Sequence, residues 1–181
     1  MRNVVLTATV AIALAAAPAF AKGQKAQKNA GAKQMTDQTF VTKAAAGGMA
    51  EVELGKLAQE KGTSDQVKSF AQRMVTDHNK ANDELKSLAQ TKNITLPTDM
   101  GAKEKALKDR LSKMSGEAFD RAYMQAMVAD HRKDVSEFRA ESNTGKDPEV
   151  KAWASKTLPT LEDHLKMAQD ANRAVGTSGK K

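Results

Sequence analysis

The chain contains three histidines, and each follows an aspartate: Asp77-His78, Asp130-His131 and Asp163-His164. Neutral imidazoles grouped with a carboxylate bind transition metals such as Fe, Mn, Cu or Zn. What matters first is whether the three rings can meet. Around His78, the residues Val67, Phe70, Ala71, Met74, Ala81, Leu85 and Leu88 recur at helical spacing and put the ring on their apolar face. His131 shares a stripe with Met124, Met127, Val128, Val135 and Phe138, and His164 with Val150, Trp153, Leu161, Leu165 and Ala168. Upstream, Glu51 falls among Phe40, Ala44, Gly47, Leu54 and Ala58, near the centre of an apolar arc, whereas Glu53 projects to the far side, toward solvent.

Four long helices must carry these groups. The first spans about Gln38 to Lys61 and stops at Gly62. The second begins after Thr63, with Gln66 completing a capping box, and ends near Thr91. The segment 93–101 reads as a loop, followed by a short helix over about Ala102 to Met114. Ser115 caps the third long helix, which runs to about Asn143 and is closed by Gly145. Asp147-Pro148-Glu149 starts the fourth, which reaches about Arg173 and contains Pro159, a site for a kink. The short turns pair the helices as two antiparallel hairpins, and the long link between them can cross the bundle. This is an all-α, ferritin-like four-helix bundle with a short extra helix in its crossover. Gly47-Gly48 reads as a close-packing point between helices.

Height along the helices decides whether the candidate groups converge. Glu51 and the three histidines each lie about 13–16 residues into their helices, so at 1.5 Å per residue they share one central layer within about one turn. The second and third helices also resemble each other at an offset of 53 residues: Met74-Val75-Thr76-Asp77-His78-Asn79-Lys80 parallels Met127-Val128-Ala129-Asp130-His131-Arg132-Lys133. Two readings of the layer follow. In one, Glu51, His78, His131 and His164 bind a single transition metal ion. Asp77, Asp130 and Asp163, each about 100° round the helix from its histidine, then accept hydrogen bonds from histidines on neighbouring helices. Met74 and Met127, one turn before two of the histidines, would tilt such a site toward copper, although methionine at this spacing more often fills core. In the other reading, the protein is a non-enzymatic envelope or stress-related interaction protein, and the His/Asp/Glu layer is structural or senses pH. Nothing supports nucleophilic catalysis: there is no cysteine, no Gly-x-Ser-x-Gly elbow and no phosphate-binding glycine loop. No catalytic residue is assigned, and a non-enzymatic role is favoured.

The ends of the chain suggest a compartment. Residues 1–21, MRNVVLTATVAIALAAAPAFA, have a basic start, an apolar run and an Ala19-Phe20-Ala21 cleavage site. They read as a signal peptide removed after Ala21, which places the mature protein in the periplasm or outside the cell. Residues 22–36 read as a disordered basic linker and 174–181 as a flexible tail, flanking a domain over 37–173. The net charge of +7 comes from these ends: Arg2, Lys22, Lys25, Lys28, Lys33, Lys180 and Lys181 lie outside 34–175, where acids and bases balance. A nucleic-acid-binding fold would carry its basic stripe on the fold itself, so no nucleic acid is expected as a partner. With aromatics at 4%, a base-stacking platform is not expected either. No run is long enough for a transmembrane helix. The basic linker could touch anionic envelope components weakly, and a solvated tail is the simpler reading.

The string Phe40-Val41-x-Lys43-Ala44-Ala45-x-Gly47-Gly48-Met49-Ala50-Glu51-Val52-Glu53-Leu54-Gly55 resembles the opening of a bacterial family, domain of unknown function 4142. Met74-Val75-x-Asp77-His78, Phe119-Asp120-Arg121-Ala122-Tyr123-Met124 and Leu158-Pro159-x-Leu161-x-x-His164-Leu165 are similar to its later blocks. The resemblance covers roughly residues 37–172. It implies an exported ferritin-like bundle, often labelled an outer-membrane protein, and no established activity. Di-iron members of the ferritin-like fold carry Glu-x-x-His on two helices. Here Val75, Val128 and Leu161 stand three residues before the histidines, which argues against a di-iron centre of that kind.

Overall fold

The structure, a computed structural model, describes residues 35–178, and within them five helices and no strand. They are α1 (Asp37–Lys61), α2 (Asp65–Thr91), α3 (Ala102–Ser112), α4 (Gly116–Thr144) and α5 (Pro148–Ser178). The proposed leader and nearly all of the basic linker lie outside the described residues. Helix α5 continues to Ser178, past the expected stop at Arg173, and runs through Pro159 as one element.

Contacts at the helix ends establish the topology. At one end, Asp37 at the start of α1 accepts hydrogen bonds from the backbone N–H groups of Lys146 and Asp147 in the α4–α5 turn, at 3.1 and 2.6 Å. Lys92, just past α2, pairs there with Asp147 at 2.9 Å and Glu149 at 3.0 Å. At the other end, Asp120 in the first turns of α4 meets the α1–α2 turn at Thr63 and Ser64. Helices α2 and α4 therefore run the same way, and the segment between them must return along the whole bundle. Helix α1 packs on α2 and α4 on α5, with further contacts between α2 and α5 and between α1 and α4. Among the four long helices every neighbouring pair is antiparallel, the ferritin-like arrangement read from the loop lengths.

Two expectations about the frame are corrected. Helix α2 is not opened by a Thr63–Gln66 capping box: Ser64 is its cap residue and makes no side-chain cap bond. The buried Asp120 carboxylate instead accepts from the N–H groups of Thr63 and Ser64 and from the Thr63 hydroxyl, the last at 2.6 Å. A carboxylate satisfies helix N-terminal donors better than a hydroxyl and complements the helix dipole. Glu53 does project outward and stays partly exposed, but it is not left to water alone. Lys108 of α3 reaches it at 2.7 Å and Lys56 at 3.0 Å, which fastens the crossover helix to α1.

The core has two apolar halves. Phe40, Val41, Leu85, Phe138, Trp153 and Leu161 fill the half near the α4–α5 turn. Leu54, Phe70, Met74, Tyr123, Met124 and Met127 belong to the other. On each long helix, one polar residue falls between the two stretches: Glu51, His78, His131 and His164. The helices approach closely at Gly55, where an added Cβ would lie 3.1 Å from the Ala71 carbonyl oxygen and 2.9 Å from a Val75 methyl. Gly48 faces the Asn82 side chain, whereas Gly47 is open.

Candidate metal centre

The three imidazoles form a triangle across the bundle. Ring centroids are 6.0 Å apart for His78–His131, 5.3 Å for His78–His164 and 5.5 Å for His131–His164. Exposure is 6% for His78, 0% for His131 and 1% for His164. One ring nitrogen from each lies within 4.8 Å of the others. An ion equidistant from three atoms at that limit would be about 2.8 Å from each, so a bond of about 2.0–2.1 Å asks each ring to close by no more than about 0.7 Å.

Hydrogen bonds leave nitrogens free for a ligand. His131 Nδ1 lies 3.0 Å from the Met127 carbonyl oxygen one turn earlier, to which it donates, so Nε2 carries the lone pair; Nε2 is buried with no hydrogen-bond partner. His164 Nε2 lies 2.8 Å from Asp77 Oδ2 and donates to it, which leaves Nδ1 buried and unpartnered. Asp77 thus holds the ring of a histidine on a neighbouring helix in one orientation. Phe70 sets its ring edge-on to His131 at 6.0 Å.

Glu51 is 1% exposed and sits beside two of the rings. Its Oε2 is 2.7 Å from His78 Nε2 and its Oε1 is 3.3 Å from His131 Nδ1. Neither contact lies in the line of a hydrogen bond, and both Glu51 Oε1 and His78 Nε2 remain unpartnered. Burial works against this carboxylate, but the His131 and His78 rings outweigh it and hold its pKa down to about 2. Burial likewise opposes a charge on His78, and Glu51 overcomes it, so His78 is raised. His164 goes the other way. Burial, with repulsion from His78 and His131, brings it to about 4 despite the bond to Asp77, so the ring is neutral at pH 7, the state a ligand needs.

The remaining expected residues divide. Asp163 lies on the exposed side of α5, away from the rings, because the 100° step that buries His164 carries its predecessor outward. Asp130 bonds to no histidine. Its carboxylate gathers with those of Glu51 and Asp134, one oxygen from each within 4.8 Å of the others. Burial and the charge of Glu51 raise Asp130; burial, Glu51 and Asp130 push Asp134 up to about 8. The sequence reading missed Asp134. A signal existed, since Met127, His131, Asp134 and Phe138 step along one inward stripe at intervals of four, three and four. Met74 and Met127 are fully buried among the apolar side chains of the core. Both acids, with Glu51, Asp77, His78 and His164, line a cavity of about 230 Å³ bordered by Lys43, Lys133 and Glu137.

The fold is shared with solved proteins. CopM in the Cu(II)-bound form is 17% identical, with a TM-score of 0.66 over 78% of this chain and 98% of that one. A DUF305 fragment from Deinococcus radiodurans is 14% identical, with a TM-score of 0.67 over 77% and 95%. CopM in the Ag-bound form, obtained by soaking, is 18% identical, with a TM-score of 0.64 over 78% and 97%. At these identities the likeness shows an all-α bundle and no more. Among the described residues, no helix is long and apolar enough to cross a membrane. No curated protein matches the sequence. The profile of domain of unknown function DUF4142 matches residues 22–171, a span that includes all four long helices up to Ala171 and the whole polar layer, and the chain therefore belongs to the DUF4142 family.

Proposed function

We propose that this protein is an exported helical bundle that holds one transition metal ion between His78, His131 and His164, with Glu51 as the adjoining carboxylate. The observation that carries this reading is the pair of buried, unpartnered ring nitrogens, His131 Nε2 and His164 Nδ1, beside the unpartnered Glu51 Oε1. A purely structural polar layer would satisfy these atoms, because leaving a buried acceptor unpaired costs about 1–3 kcal/mol. One bundle of similar fold, CopM, was solved both with Cu(II) and with Ag, which supports a metal role and a soft or borderline ion. Imidazole nitrogens suit copper and zinc alike. Export rests on the signal-peptide pattern of residues 1–21.

Cu(II) and Zn(II) titrated separately into metal-free protein give one tight equivalent each. At a hundredfold excess over Kd, binding raises unfolding stability by about 2.7 kcal/mol. His78→Gln, chosen because His78 borders the cavity, and His131→Ala both lose that equivalent while circular dichroism shows a folded bundle. Failure of the native protein to take up a stoichiometric ion rejects the proposal.

A further inference from the structure

The cavity presents a second set of ligand atoms with different chemistry. Asp130 and Asp134, one turn apart on α4, bring their carboxylates to Glu51 of α1, one oxygen from each within 4.8 Å of the others. Two observations separate this from an ordinary acidic cluster. Glu51 is 1% exposed, and its Oε1, on the side of His131 whose Nδ1 proton already goes to Met127, has no hydrogen-bond partner. The cluster also borders a cavity of about 230 Å³ shared with His78 and His164, enough for an ion and several waters. Lys133 lies 3.2 Å from Asp134, but it is half-exposed and also reaches Glu137 at 3.4 Å, so it can turn outward when a cation enters.

We infer that Glu51, Asp130 and Asp134 form a second cation site, for an oxygen-seeking divalent ion such as Mn(II), beside the imidazole site, with Glu51 serving both ions. This inference rests on the proposed imidazole site for its neighbour, although its own ligands are separate except for Glu51. Carboxylate and water ligands suit Mg, Ca and Mn, whereas imidazoles suit copper and zinc, so one cavity would discriminate two classes of ion. With neutral imidazoles and three carboxylates, two divalent ions leave a single positive charge near the centre.

The test loads the full protein with one equivalent of Zn(II) and then titrates Mn(II), reading free Mn(II) by electron paramagnetic resonance. The native protein binds a second equivalent. Asp134→Asn and Asp130→Asn, close in shape to the native residues, weaken Mn(II) at least tenfold and leave the Zn(II) equivalent intact. Conversely, His78→Gln loses Zn(II) and keeps Mn(II). In the Cu(II)-loaded protein, bound Mn(II) broadens the copper signal because the ions are neighbours. If Zn(II) binds but Mn(II) does not, or if Mn(II) affinity survives both Asn substitutions, the second site is overturned and the imidazole site stands. If Mn(II) binds these acids in a protein whose histidines take no Zn(II) or Cu(II), both the shared centre and the imidazole site are overturned.

Discussion

Replacing Asp77 tests whether the polar layer is built to present a ligand. His164 Nε2 donates to Asp77 Oδ2 at 2.8 Å, which fixes the ring and leaves its buried Nδ1 without a partner. Asp77→Ala removes the acceptor without touching a ligand atom. Loss of such an outer partner typically lowers metal affinity 10–100-fold. Asp77 also accepts from Arg73 Nε, so its oxygens are shared and the lower part of that range applies. We expect a loss of about 10–30-fold, or about 1.4–2 kcal/mol. Proton competition at His164 does not confuse the result. Burial first, then the neighbouring rings, already hold His164 to about 4, and removing the hydrogen bond to Asp77 lowers it further, so the ring stays neutral at pH 7 in both proteins. The assay is competition for Cu(II) or Zn(II) against a chromophoric chelator at fixed pH and salt, with Asp77→Asn as the intermediate case because its amide oxygen can still accept. A folded Asp77→Ala protein that binds within twofold of the native one shows that Asp77 does not position a metal ligand.

Two further outcomes concern the frame that holds the site. Asp120→Ala strips the buried acceptor from Thr63 and Ser64 and lowers unfolding free energy in urea by about 2–4 kcal/mol; a change under about 1 kcal/mol shows that water replaces the carboxylate. Glu141 gives the metal-free protein a pH signature: burial, with the charges of Asp37 and Asp147, pushes its pKa up to about 7 from 4.5. Between those values the unfolded chain has released its proton while the folded chain keeps it, so stability falls as pH rises, by about 3 kcal/mol at most. Glu141→Gln removes that slope, raising Tm at pH 8 and leaving it nearly unchanged at pH 4. An equal shift at both pH values contradicts the assignment.

Much of the architecture is written in local chemistry that a sequence exposes. Gly62 and Gly145 end helices, Asp147-Pro148 starts one, and the lengths of the connections choose the crossover topology. Helical periodicity also indicates which side of each helix faces in, which is why Glu51, His78, His131 and His164 can be expected at one level. What periodicity does not supply is the rotation between neighbouring helices. The Asp-His dipeptides look alike, yet Asp77 reaches across to His164, Asp130 turns toward Glu51 and Asp134, and Asp163 faces water. Their fates depend on which helix lies alongside, a tertiary property. The Asp120 cap is invisible for the same reason, since its partners are 56 and 57 positions earlier in the chain. Asp134 is a different case. It lies on the inward stripe and was legible, but an aspartate among apolar residues reads as a surface group until its neighbours are known.

Anomalous diffraction from crystals of the protein loaded with one equivalent of Cu(II) or Zn(II) locates the ion. A single metal ion held by the three histidines gives a peak at the centre of the bundle, within bonding distance of His131 Nε2, His164 Nδ1 and a nitrogen of His78, with the rings drawn inward by less than about 1 Å. A peak only on the surface, with the three rings unmoved and the central layer holding no ion, would contradict it.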